Sequence, residues 1–203
     1  MKKKAVVGVA LLLVLGLLGC RGVRAEKPVI YLYPEQEMEI SVKLEVTGEL
    51  TTTYPKYEEG WTVTAQPDGT LFLDGRAYHY LYWEAQSRTD YDFSRGFVVP
   101  GDEAATFLEE KLELLGLTSR EANEFIVYWL PRLEANAWNL VTFQQEAYTD
   151  SAKLTITPEP DSMLRVYMAF KALSGPIEIA EPELQPFVRE GFAVIEWGGC
   201  EVE

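Results

Sequence analysis

Apolar and polar residues alternate strictly over Glu39 to Val46, with Ile40, Val42, Leu44 and Val46 on one side and Glu39, Ser41, Lys43 and Glu45 on the other. A period of two predicts a strand with one buried and one wet face. Just before it, Pro28-Val-Ile-Tyr-Leu-Tyr33 is β-branched and aromatic and ends at Pro34, a second strand signature. Trp61–Ala65 and Thr70–Leu73 flank Pro67-Asp68-Gly69, and Asp74-Gly75 precedes an aromatic run from Arg76 to Glu84. Such dipeptides favour tight hairpin turns, so residues 28–99 read as a sandwich-like antiparallel β region.

The texture changes at Pro100-Gly101-Asp102. Ala104, Phe107, Leu108, Lys111, Leu112 and Leu115 recur at steps of three and four, which predicts a helix with Asp102 as N-cap and Gly116 just past its end. Thr118-Ser-Arg-Glu121 matches a capping box and opens a second, short helix. Phe125 to Leu130 is apolar without clear helical rhythm, and Pro131 follows. We read Phe125–Arg132 and Ala137–Gln144 as a hairpin across Glu134-Ala135-Asn136, with a helix through Trp129 as the competing reading. Strands are predicted at Lys153–Thr157, Met163–Leu173 and Phe192–Trp197, and the prolines between residues 158 and 186 mark loops. The expected class is therefore α+β and β-rich, with residues 100–200 forming an α+β region in one compact unit with 28–99.

The N-terminus supplies an address. Lys2, Lys3 and Lys4 precede an unbroken apolar stretch of 15 residues, Ala5–Gly19. As a helix it would span roughly 22 Å, short of the roughly 30 Å hydrocarbon core of a bilayer. Residues 1–19 thus read as a signal peptide. The run closes on Leu17-Leu18-Gly19-Cys20, which resembles a bacterial lipobox, although Leu18 stands where a smaller residue is usual. That resemblance implies cleavage before Cys20, lipid attachment to its sulfur, and residues 20–27 as anchor and linker. The partner is then the outer face of a bacterial membrane. Val23-Arg24-Ala25 offers a competing signal-peptidase site before Glu26, which would give a secreted protein.

Charge narrows the partners. Over 203 residues, 18 Lys and Arg stand against 32 Asp and Glu, a net −14. That balance argues against nucleic acid as a partner, since its backbone is neutralised by Lys and Arg. Loss of the three leader lysines leaves 15 basic and 32 acidic residues, or −17, behind a basic stub of Arg21, Arg24 and Lys27. That surface would tend to hold a head off anionic lipid. The chain has two cysteines, Cys20 and Cys200, so Cys200 is expected to be a lone thiol in a mature protein without disulfides.

Lys27-Pro-Val-Ile-Tyr-Leu-Tyr-Pro34, Tyr54-Pro55 with Gly60-Trp61, Pro67-Asp-Gly-Thr70 and Glu196-Trp-Gly-Gly199 resemble a family of uncharacterised exported bacterial proteins. The resemblance covers nearly all of residues 27–199. It implies a domain boundary and brings no catalytic residues.

Candidate chemistry is sparse. His79 is the one histidine, which excludes zinc sites built on two or more, and G-x-S-x-G elbows, phosphate loops and dinucleotide fingerprints are absent. No cofactor is expected. Alternation puts His79, Leu81 and Trp83 on one strand face, where His79 reads as a buried, hydrogen-bonded core histidine. The opposite face aligns Tyr78, Tyr80 and Tyr82 with Glu84, and Trp61 could approach from the neighbouring strand. Each phenol has an apolar body and a polar tip, so such a row suits sugar rings or peptide side chains; the alternative is that these rings pack in the core. Thr89-Asp90-Tyr91-Asp92-Phe93-Ser94-Arg95-Gly96 resembles a calcium loop but carries its glycine one place late and lacks the twelfth ligand. Asp90 and Asp92 are thus weak metal candidates in what otherwise reads as a polar turn. Paired carboxylates of a glycosidase type remain open among so many acids. The expectation is a cell-envelope lipoprotein that acts by binding or structural contact with an envelope glycan or protein. A carboxylate-based hydrolase and a carbohydrate-binding module are the alternatives.

Overall fold

The computed structural model describes residues 23–202. Its elements are β1 (Val23–Tyr33), β2 (Met38–Val46), β3 (Gly48–Tyr54), β4 (Trp61–Ala65), β5 (Leu71–Leu73), β6 (Arg76–Tyr78), β7 (Leu81–Ser87) and β8 (Phe97–Pro100), then α1 (Ala104–Leu115) and α2 (Ser119–Glu134). Next come β9 (Trp138–Gln144), α3 (Glu146–Ser151), β10 (Ala152–Thr157), β11 (Ser162–Leu173) and β12 (Ala193–Glu201). The class is α+β and β-rich, a two-sheet sandwich with helices added. One sheet has seven strands in the order β3-β7-β1-β12-β11-β9-β8, the other five in the order β10-β2-β4-β5-β6. All pairs are antiparallel except β11 with β12.

The larger sheet is the middle layer. On β1, Ile30 and Leu32 face the five-stranded sheet, while Val29 and Tyr31 face the core under α1 and α2. A strand covered on both faces must be apolar at every position, which is why Val29–Leu32 shows no alternation. The outer β2 has only one covered face: Ile40, Val42 and Leu44 are buried and Glu39, Lys43 and Glu45 exposed, as alternation predicts. Each of those aliphatics contributes about 1.5–3 kcal/mol by leaving water. The turns also follow their residues. Asp74 and Gly75 take φ of 50° and 76°, the left-handed pair that a two-residue β5–β6 hairpin requires.

In α1, Ala104, Leu108, Leu112 and Leu115 are buried, and Gly116 ends the helix at φ 96°. Asp102 does not cap it. A 3-10 turn, Gly101–Glu103, comes first and puts Glu103 at the N-cap, with no side-chain bond. Thr118 and Glu121 do form the capping box, each side chain accepting from the other's backbone N–H.

The expected hairpin at residues 125–144 is not formed. Phe125–Arg132 lies within α2, a helix of 16 residues, and β9 pairs with β8 and β11 instead. Glu121, Phe125, Trp129 and Leu133, four apart, make its buried stripe. Flanking Ile126, Val127, Tyr128 and Leu130 mask that period in the sequence. Pro131 sits in the last turns on the exposed side, where little of the helix remains for it to disturb.

Residues 174–192 are an extended strap that returns the chain from β11 to its parallel neighbour β12. Leu184 and Phe187 pack on the helix-side core, and the Gly96 N–H donates to Ala180 O at 3.1 Å. Residues 23–27, read from sequence as linker, are strand: Val23, Arg24 and Ala25 pair with Ser87, Gln86 and Ala85. Two members of the basic stub, Arg24 and Lys27, are accordingly committed to contacts within the fold.

Candidate functional site

The aromatic run of residues 76–84 is not one strand. It ends as β6 at Tyr78 in the five-stranded sheet and restarts as β7 at Leu81 in the seven-stranded sheet. The tyrosine row is therefore split. Tyr78 packs at the margin of the inter-sheet core, 5.5 Å edge-on from Tyr54. His79 falls in the crossing between sheets and is exposed rather than buried. Alternation hid the break because it is made by a change of sheet, which leaves side-chain types unaltered. Trp61 is also away from the row. It is 1% exposed between the sheets, its indole N–H donating to Pro55 O at 2.9 Å.

Tyr80, Tyr82 and Glu84 stay together on the helix-side face. Leu81, Trp83 and Ala85 point into the inter-sheet core, so the intervening residues of β7 point to the other side. A bulge in β1 between Glu26 and Val29 turns Lys27 toward them, with φ 54°. Its Nζ lies 5.6 Å from the ring centres of Tyr80 and Tyr128 and 5.9 Å from that of Trp197. Three aromatic faces thus hold one ammonium.

Ion pairs frame this shelf. Arg24 binds Glu84. Arg132 of α2 pairs with Glu26 at 2.7 Å, and Tyr128 donates to the same carboxylate at 2.9 Å. Tyr31 donates to Glu124 at 2.8 Å and meets Tyr80 edge-on at 5.5 Å. Burial, reinforced by the bond to Glu26, pushes the Tyr128 phenol up to about 12. Burial and the neighbouring Glu84 raise Tyr82, and burial and Glu124 raise Tyr80. All three phenols remain protonated donors at ordinary pH. The shelf therefore offers half-buried rings with polar tips beside arginine-paired carboxylates, an arrangement able to stack on a ligand ring and hydrogen-bond its rim.

The calcium-like stretch is a turn. Asp92 Oδ1 accepts the Ser94 N–H at 2.8 Å and its Oδ2 accepts the Ser94 hydroxyl at 3.0 Å, bonds that hold its carboxyl below the usual range. Asp90 is exposed. Among the described residues no group of three His, Cys, Asp or Glu side chains is placed to hold a metal. Cys200 is a free, buried thiol, and Cys20 lies outside the described residues.

One constellation escaped the sequence reading. Glu196 is fully buried between the sheets, accepting from Trp83 Nε1 at 3.0 Å and from Arg165 Nε at 2.6 Å. The Arg165 guanidinium lies 4.6 Å over the Tyr148 ring, which stacks on Tyr167 at 4.0 Å. The signal available was a lone carboxylate within the apolar Phe192–Trp197 run. The adjoining cavity, lined by Trp83, Tyr91, Tyr148 and Ser151, is about 10 Å³. That is room for one water at most.

Sequence comparison places the chain among known proteins. A protein of Butyrivibrio fibrisolvens described as "Uncharacterized protein in bglA 3′ region" is 43% identical over 94 residues, covering 41% of this chain and 98% of the relative. The chain belongs to the family of that protein. No family model and no solved structure matches it. The relative's description names no ligand or reaction, so the roles of the shelf residues rest on geometry and chemistry.

Proposed function

We propose that the protein is an exported cell-envelope lipoprotein, anchored through Cys20, whose folded head acts by binding. The observation that carries this reading is where β1 lies. Val23–Ala25 are paired strand residues, Ala25 is 4% exposed, and Arg24 binds Glu84. Cleavage after Ala25 would remove all three from the fold, whereas cleavage before Cys20 spares them. Of the two processing sites in the leader, the physical cost of the fold favours the lipobox-like one. Metabolic labelling with a radioactive fatty acid should mark the wild-type chain and leave Cys20→Ala unmarked. A wild-type chain without label refutes the anchor.

The binding face in this reading is the shelf of Lys27, Tyr80, Tyr82 and Tyr128, and its ligand is an envelope glycan. Half-exposed phenols suit the apolar face and hydroxyl rim of a sugar ring. The hydrolase alternative has weaker support: Glu26 and Glu84 each face an arginine, a pairing that suits fixed acceptors better than a proton donor. A glycan array probed with residues 23–203 should give hits that Tyr82→Ala abolishes. Hits that survive Tyr82→Ala would remove the shelf as the glycan site.

A further inference from the structure

We propose that the head stands on the membrane in one orientation, with the Val23 end of the seven-stranded sheet against an anionic leaflet and the opposite, acidic end held outward. The inference rests on the lipid-anchored reading and adds the surface that meets the lipid. Cys20 and Val23 are three residues apart. Whatever the intervening conformation, three Cα–Cα steps of about 3.8 Å allow roughly 11 Å of reach. The tether therefore ends on one particular edge of the head.

That edge is fixed by register. Val23 pairs with Ser87, and Ser87 with Gly48. The chain passes from β2 to β3 there, where the Thr47 N–H donates to Ser151 O at 2.7 Å. Charges at this end are mixed: Arg88 is exposed and basic, Arg24 is exposed but paired with Glu84, and Glu49, Asp90, Asp150 and Glu201 are exposed and acidic. From Val23, β1 runs 11 residues to Tyr33, roughly 35 Å away at about 3.3 Å per residue.

The far end is acidic. Tyr33 pairs with Ala193 and Ala193 with Ser162, while Met38 pairs with Ala65. These pairings gather the β1–β2 loop, the β4–β5 turn, the β10–β11 loop and the end of the strap. Their exposed charges are Glu35, Glu37, Asp68, Glu159, Asp161 and Glu190. The basic residue of those segments, Arg189, is committed to Glu121 and Gly116 O. With a Debye length of about 8 Å, an anionic leaflet repels this end only when it approaches closely, so repulsion opposes toppling while the short tether holds the other end down.

The test uses lipidated protein made in bacteria and reconstituted into phosphatidylethanolamine–phosphatidylglycerol vesicles containing a nickel-chelating lipid. In a Cys200→Ser background, a nitroxide is attached after Arg88→Cys or after Glu35→Cys. Flotation with the vesicles reports the anchor separately. In floated protein, nickel should enhance relaxation of the label at position 88 at least fivefold more than at position 35. Equal enhancement, or a stronger effect at position 35, overturns the orientation and leaves the anchor standing. Protein that does not float overturns the anchor and the orientation together.

Discussion

Arg189 of the strap reaches across to Glu121 of α2 and binds its carboxylate with both terminal nitrogens, while one of them also donates to Gly116 O at 3.0 Å. The same carboxylate accepts the Tyr33 hydroxyl at 2.8 Å and the Thr118 N–H at 2.8 Å. Strand β1, helix α2, the end of α1 and the strap thus meet on one fully buried side chain.

That junction makes stability depend on pH with a definite sign. Burial opposes the Glu121 charge, but Arg189, the Thr118 N–H and Tyr33 outweigh it and hold the carboxyl below its usual range. A depressed carboxyl stabilises the fold above its unfolded value of about 4.3, and that contribution disappears as pH falls through the folded value. Glu121→Gln should lower stability by about 2 kcal/mol at pH 7. Urea melts of both proteins should converge as pH drops from 6 to 3. A constant gap would show that the charge is not what matters.

The buried pair of Arg165 and Glu196 supplies a separate test. Removing one partner leaves the other charge uncompensated in the core, so Glu196→Leu should cost about 3–5 kcal/mol. Arg165→Leu combined with Glu196→Leu should recover much of that loss, because buried ion pairs are often matched by apolar replacements. Chemical denaturation of the wild type, the two single variants Arg165→Leu and Glu196→Leu, and the double variant measures this directly. A double variant as unstable as the sum of the singles would contradict it.

Cys200 should be chemically silent. Burial pushes its thiol up to about 12, with the Tyr167 hydroxyl as a partial counterweight. Thiolate is the reactive form, so at pH 8 the native thiol should resist a disulfide reagent for hours and react within minutes in denaturant. Rapid labelling of the native, leaderless protein would mean that β12 opens readily.

How far residue patterns reached is clearest in the strands. Alternation in Glu39–Val46 was decisive because β2 has one wet face. Where both faces are covered, as in β1 and β12, composition still indicated strand but no pattern could say which residue joined which core. The hairpin expected at residues 125–144 failed for a related reason. The four-residue stripe of α2 is obscured by apolar neighbours, and Pro131, a residue that disrupts helix interiors, lies near the helix end where it disturbs little. At the shelf, Tyr80, Tyr82 and Glu84 were legible as one face of the run that leads into β7. Lys27, Tyr128 and Arg132 were not, since a bulge and a distant helix bring them there. Tyr78 was grouped with the shelf because period two cannot register a change of sheet, and Trp61 because its strand was expected beside the row, whereas β4 lies in the other sheet.

The start of β1 yields the last expectation. A chain beginning at Glu26 lacks Val23, Arg24 and Ala25, which pair with β7 along the part of the sheet where β3 adds on its far side. It also lacks the partner of Glu84, a carboxylate whose side chain is 7% exposed. An acceptor left buried without its donor costs about 1–3 kcal/mol, and lost burial of Ala25 and Val23 adds to that. Thermal melts of residues 23–203 and 26–203 should therefore differ by at least 5 °C, a shift on the scale of about 2 kcal/mol for a domain near this size. Glu84→Gln in the shorter chain should return part of the difference, because an uncharged amide is less costly to leave unpaired. Equal melting temperatures would mean that the first three strand residues are dispensable, and the fold would then no longer discriminate between the two cleavage sites of the leader.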